Sequence, residues 1–328
     1  SEPDATVCQG TSALVNATGA PTITWSPVVT NGTFVTQPVG TVVYTATGTD
    51  ANGCQNTDTY TLIVNPNPTM DNIDNVSICE GLATAVVSPT SPTGPATFTW
   101  SNNNTTIGLA ANGTGAIGSF TALNPTNSAI SGTVTVTPTL NSCVGTPEVY
   151  TITVNPTPSV NAITDITRCA GQTTSVTISG GVIPSTYTWT NNNTSIGLAA
   201  NGTGSISTFV TQNTTTTPQV ATIIVTPTAS GCPGPTETFT ITVNPIPPAT
   251  SIADQIICAG DQSTLVDFNE IVAGTTFAWT NNNPGIGLAA SGSNDINPFT
   301  TVNGGGSPIQ GSVTVTPSAN GCTGAADV

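Results

Sequence analysis

The residues of this chain best suited to chemistry are its eight cysteines, and their spacing is regular. Cys79, Cys169 and Cys258 precede Trp100, Trp189 and Trp279 at offsets of 21, 20 and 21, and Cys143, Cys232 and Cys322 each follow their tryptophan at an offset of 43. Cys8, Trp25 and Cys54 keep the same order, with Cys54 closer to its tryptophan than the other second cysteines are to theirs. An even set of cysteines without a C-x-x-C pair reads as a disulfide framework made in an oxidising compartment, the alternatives being free thiols or a metal site. Pairing within units gives Cys8–Cys54, Cys79–Cys143, Cys169–Cys232 and Cys258–Cys322. Pairing across the joints would join residues only 25 or 26 apart and strand Cys8 and Cys322. The first scheme is the expectation, a closed loop of about 64 residues being worth roughly 4 kcal/mol in the chain-entropy model.

Other chemistry is narrowly bounded. There is no histidine and no lysine; Arg168 is the one basic side chain against sixteen acids, for a formal net charge of −15. Without histidine there is no Ser-His-Asp or Cys-His relay and no imidazole metal site. Without lysine the surface cannot neutralise phosphates, which excludes nucleic acid and anionic lipid as partners. A glycosidase needs two converging carboxylates, and here the acids are scattered among the repeats, so no enzyme is expected. Two weaker sites remain. Asp74, Asp165 and Asp254 sit four or five residues before a first cysteine, where joint calcium could gather; calcium wants six to eight oxygens, however, so no resident cofactor is the base expectation. The triplets Asn102-Asn103-Asn104, Asn191-Asn192-Asn193 and Asn281-Asn282-Asn283 could present amides to carbohydrate, although asparagine is equally a turn residue that tolerates left-handed backbone. Sequons such as those at Asn16, Asn112 and Asn201 are expected from composition alone.

The elements that position these residues are strands. Threonine fills 67 positions, while 33 glycines and 26 prolines punctuate the chain too often for long helices. In Thr133-Val134-Thr135-Val136-Thr137 the valines are expected to face a core and the threonines solvent. About seven short strands are read per unit. In unit two they include Val76–Ile78, Thr84–Ser88, Thr97–Trp100, Gly118–Ala122, Gly132–Pro138 and Tyr150–Val154. No run approaches 18 apolar residues. The short strands and the Cys…Trp…Cys order point to immunoglobulin-like β-sandwiches, with Trp25, Trp100, Trp189 and Trp279 as core anchors.

The tryptophans also register an internal repeat. Ser101 to Ala111 recurs nearly unchanged from Thr190 to Ala200 and from Thr280 to Ala290; the shorter first unit lacks this segment, which is therefore an insertion between strands. Thr61-Leu62-Ile63-Val64-Asn65-Pro66, Thr151 to Pro156 and Thr240 to Pro245 close the units, each followed by a second proline (Pro68, Pro158, Pro247). Domains are expected over 1–66, 67–156, 157–245 and 246–328, the last without its closing strand. That truncation is read either as a window on a longer array or as a strand donated by a neighbour.

The run Trp189 to Ala200, the run Val225 to Cys232 and the Thr-Ile-Thr-Val-Asn-Pro endings resemble the PKD-like, immunoglobulin-like repeats of large Bacteroidetes surface proteins. Three units match along nearly their whole length, and the first looks like a shorter relative. The resemblance implies type IX secretion and attachment at the bacterial cell surface, some such proteins being gliding adhesins. The expectation is an elongated all-β array serving as a structural region of a surface fibre or adhesin stalk. Its partners would be itself or further repeats of the same long chain, without membrane insertion. The alternative is a set of carbohydrate-binding modules that hold surface glycans through the Asn loops.

Overall fold

The computed structural model describes residues 1–248 and 251–328. The chain separates into two compact units, Ser1–Thr157 and Pro158–Val328. Each unit carries two sandwiches with separate cores.

The second repeat shows the plan. One sheet runs in the order Val76–Cys79, Glu148–Asn155, Ile130–Leu140, Thr97–Asn102, Asn112–Thr114. The neighbours are antiparallel except the outer pair, in which Val76–Cys79 lies parallel to the closing strand with Cys79 opposite Asn155. Strand alternation puts Val134 and Val136 at full burial while Thr133, Thr135 and Thr137 are half-buried. Those valines pack with Trp100, Tyr150, Ile152 and Val154. The third repeat repeats this order with Ile166–Cys169, Glu237–Asn244, Gln219–Ala229, Thr186–Asn191 and Asn201–Thr203. The first repeat has the shorter order Ala5–Cys8, Gln55–Asn65, Gly40–Thr49, Thr22–Ser26.

A second layer closes each core. It is Ala13–Val15 with Thr33–Val35 in the first repeat and Thr173–Val176 with Ile206–Val210 in the third. In the second repeat the strands expected at Thr84–Ser88 and Gly118–Ala122 reduce to two isolated bridges, Ala83 to Thr121 and Val87 to Ile117. Side-chain hydroxyls take over ladder positions between them: Phe120 N donates to Thr84 Oγ1, and Ser119 Oγ donates to Thr84 O.

In the fourth repeat, Ser291–Ser293, Thr276–Asn281, Val313–Ala319 and Cys322–Thr323 form the sheet. Among its described residues, only Asp327 occupies the closing strand's place, exchanging both backbone hydrogen bonds with Val315. No helix among the described residues is long and apolar enough to cross a membrane.

Candidate functional site: the joint between repeats

The disulfides do not follow the within-unit scheme. Cys8 is bonded to Cys143 and Cys169 to Cys322, with Cα–Cα distances of 5.4 and 5.6 Å. Cys79 and Cys232 are also disulfide-bonded, whereas Cys54 and Cys258 carry free, exposed thiols. In Cys8–Cys143 and Cys169–Cys322 alike, a first-strand cysteine reaches the second cysteine of the next repeat.

Strand direction is the reason. The first strand is parallel to the closing strand and its cysteine lies opposite the last residue of that strand: Cys8 opposite Asn65, Cys79 opposite Asn155, Cys169 opposite Asn244. The second cysteine sits in the hairpin that leads into the start of the closing strand. The two cysteines of one repeat are therefore at opposite poles. Eight residues of strand, Glu148–Asn155 in the second repeat, separate them by roughly 26 Å, against the ~7 Å Cα limit for a disulfide.

Two further contacts complete these two joints. The hairpin turn is left-handed, with φ of 49° and 65° at Asn141 and Ser142, and 51° and 78° at Asn320 and Gly321, a two-residue geometry that suits Asn and Gly. The turn's carbonyl accepts from the closing asparagine of the preceding repeat: Asn65 Nδ2 donates to Asn141 O at 3.5 Å and Asn244 Nδ2 to Asn320 O at 2.9 Å. Two residues past the second cysteine, Gly145 and Gly324 let the linker pass. A Cβ there would come within 1.8 Å of Pro68 O and 2.0 Å of Pro247 O, and Gly234 is fitted in the same way against Pro158 O. Sequence reading does not single out these asparagines and glycines, although Cys-x-Gly recurs in repeats two to four.

The first asparagine of each triplet faces inward, the second is exposed and the third is half-buried. Asn102 is buried; its Nδ2 donates to Asn104 O and Leu109 O, and its Oδ1 accepts from Asn104 N. Asn103 Oδ1 accepts from Thr133 N, and Asn104 caps a short 3₁₀ turn by accepting from Thr106 N while donating to Ser131 O. Asn191, Asn192 and Asn193 repeat these roles, as do Asn281, Asn282 and Asn283. These amides frame the inserted loop. That frame places Ile107 and Leu109 in the core and lays a glycine against the tryptophan ring: a Cβ on Gly113, Gly202 or Gly292 would lie 2.3, 2.2 or 2.2 Å from Cζ2 of Trp100, Trp189 or Trp279. Trp25, which has no such insertion, donates its Nε1–H to Asn31 Oδ1.

The joint aspartates are not gathered, and no cluster of three or more metal-ligating side chains occurs among the described residues. Asp165 Oδ1 accepts from Thr240 N at 2.7 Å, tying the start of the first strand to the closing strand; this bond holds its carboxyl below the ordinary range. Asn75 does the same for Thr151 N and Asp4 for Thr61 N, so the position needs an acceptor rather than a charge. Asp74 lies one residue earlier and accepts from Asn72 Nδ2. Asp254 aligns with Asp165, four residues before its cysteine.

Residues 166–247 match the PKD-like domain family. A comparison with curated proteins finds no match. Among solved structures, the titin I-band fragment I67–I69 is similar at 11% identity and a TM-score of 0.41, covering 74% of this chain and 95% of that one. Sidekick-1 immunoglobulin domains 1–4 align at 15% identity and a TM-score of 0.31 over 100% and 95% of the two chains. Mouse cadherin-23 EC22–24 aligns at 12% and 0.35 over 74% and 96%. These likenesses carry no argument about partners or role. The family match places a PKD-like domain in the third repeat, and the sheet architecture makes this chain an all-β tandem of immunoglobulin-like sandwiches.

Proposed function

We propose that this chain is a load-bearing repeat region of a secreted bacterial surface fibre or adhesin stalk, extended through its joints. One observation carries the reading: Cys8–Cys143 and Cys169–Cys322 each add a second covalent connection from one repeat to the next, beside the Pro-x-Pro linker. A linker alone permits swivelling; a linker plus a disulfide on the neighbouring strand end fixes direction. Disulfides of this kind form and persist outside the reducing cytosol, which supports an extracellular location. Few charges and half-buried threonines leave a surface that stays hydrated without attracting nucleic acid or anionic lipid.

The test is electron microscopy of native surface material labelled with an antibody against the second repeat. Label along extended strands or fibres rooted at the cell is the expected result, and label confined to the cell interior would overturn the proposal. A glycan array probed with the folded chain separates the spacer from the lectin reading. A spacer retains no glycan, whereas a glycan module retains one.

A further inference from the structure

The first repeat differs from the others at one sheet edge. In repeats two to four the tryptophan strand is covered by a short strand of the inserted segment: Asn112–Thr114 lies against Thr97–Asn102, Asn201–Thr203 against Thr186–Asn191, and Ser291–Ser293 against Thr276–Asn281. The pairing continues past the strand's end, where Gly115, Gly204 and Asn294 donate their N–H groups to Phe98 O, Tyr187 O and Phe277 O. The first repeat lacks the insertion, and Thr22–Ser26 is the last strand of its sheet, paired on one side only, with Gly40–Thr49.

Chain direction and side-chain face together fix which way a strand residue turns its N–H and C=O. Trp25 faces the core in the register of Trp100, opposite Ala46 as Trp100 is opposite Val136. Ile23 shares that face, as Phe98 does in the second repeat. Ile23 and Trp25 therefore turn their N–H and C=O groups to the open edge, and among the described residues no backbone group covers them there. Asn31 Oδ1 takes the ring N–H of Trp25, as Asn294 O takes that of Trp279, so only the backbone is left unmatched. Thr22, Thr24 and Ser26 on the other face are exposed and uncharged, and none of the charges that guard an edge is present. Pro21 and Pro27 bound the free stretch.

We propose that the Thr22–Ser26 edge binds an extended segment of a partner polypeptide by antiparallel strand addition, with a glycine of that segment beside Trp25. The sister repeats define what fits. Three times over, the covering strand is neutral and small-Gly-small (Asn112-Gly113-Thr114, Asn201-Gly202-Thr203, Ser291-Gly292-Ser293), and its glycine stands where a Cβ would strike the tryptophan ring. Main-chain bonds to Ile23 and Trp25 supply the affinity, and the glycine supplies the selectivity. Val28, 97% exposed just beyond the strand, offers an apolar contact to the residues that precede that glycine. The inference is independent of the stalk reading, since a stalk whose edge binds nothing is still a stalk.

The test combines the full chain with a synthetic peptide of residues 108–117, which carries Asn112-Gly113-Thr114, and reads amide hydrogen exchange residue by residue by NMR. The amides of Ile23 and Trp25 are expected to exchange readily in the chain alone and to slow about tenfold with the peptide at about ten times its Kd. A Gly113→Val peptide, despite its greater strand propensity, should give no slowing, and neither should a peptide N-methylated at Gly113, which cannot donate to the edge. Protection of both amides that grows with chain concentration and needs no peptide would make the occupant a second copy and overturn the proposal. No slowing with the unmodified peptide, or equal slowing with the valine peptide, would overturn it as well.

Discussion

The inter-repeat bonds have a mechanical signature that can be worked out from their positions. Pull the chain by its ends and unfold every repeat. With Cys8–Cys143 intact, the tension passes through the bond and the 135 residues it spans never extend. At about 3.5 Å per extended residue that hides roughly 470 Å of contour. Cys169–Cys322 spans 153 residues and hides roughly 540 Å by the same arithmetic. The oxidised chain should therefore finish about 1000 Å shorter than the reduced one, in two separable parts. Bonds within repeats would span only about 46 to 64 residues and hide roughly 160 to 220 Å each. Single-molecule force spectroscopy with and without reductant reads the difference directly. Because Cys79 and Cys232 are bonded as well, the double variant Cys8→Ser/Cys143→Ser is read in a Cys79→Ser/Cys232→Ser background, where it should restore only the first and smaller of the two hidden lengths. Recovery on reduction of the short increments that within-repeat bonds would release, or no change at all, would refute the pairing and the reasoning from strand direction.

Other expectations rest on single contacts. Gly202→Ala sets a methyl against the Trp189 ring and should destabilise the third repeat by about 1–3 kcal/mol, seen as a lowered thermal midpoint reported by Trp189 fluorescence. Asn191→Ala removes the donor to the carbonyls of Leu198 and Ala199 and the acceptor for Asn193 N; about 1–3 kcal/mol is expected for each buried group left unpaired, measured by denaturant unfolding. Tyr150 has a buried hydroxyl without a hydrogen-bond partner, and burial raises its pKa. Phe239 fills the same register position in the third repeat, so Tyr150→Phe should be neutral or stabilising in the same assay. The bond from Thr240 N lowers the folded-state pKa of Asp165 below the ordinary aspartate value. Its contribution is thus present above the unfolded pKa and lost as pH falls through the lowered folded one. Acid melts of Asp165→Asn should show less loss in that window than wild type, matching the second repeat, where Asn75 already holds the position.

Much of this fold is legible in the sequence. The tryptophan register marks the repeats, and the alternation at Thr133–Thr137 correctly places Val134 and Val136 in the core. The disulfide pairing is not legible, because period-two alternation says which face a residue takes but not which way its strand runs beside another. Val76–Cys79 is four residues long and could pair with the closing strand in either direction on pattern alone; running parallel, it sends Cys79 to the pole opposite Cys143. The framing role of Asn102 is not legible for a related reason. An amide is equally able to bind a sugar or a carbonyl of its own loop, and it is the close return of Leu109 O and Ala110 O that engages Asn102 Nδ2. A signal for the joint does exist: a glycine two residues after the second cysteine in each unit preceded by a Pro-x-Pro linker, and none after Cys54.

The placement of the bonds also determines how a repeat is loaded. In the second repeat the linker delivers the chain to the start of Val76–Cys79, and the bond to Cys8 holds the hairpin cysteine, Cys143, at that same pole. Force leaves from the other pole through Asn155, beside which stands Cys79, itself disulfide-bonded. Tension carried by the bond therefore enters at Cys143 and runs along the closing strand to Asn155, while Val76–Cys79 lies within the span that the bond bypasses. A bond tying Cys79 to Cys143 would have short-circuited the repeat from pole to pole and taken the sheet out of the load path. Bonded to Cys8 instead, Cys143 lies at the pole where the linker enters, and force that the bond carries into the repeat crosses it along the closing strand.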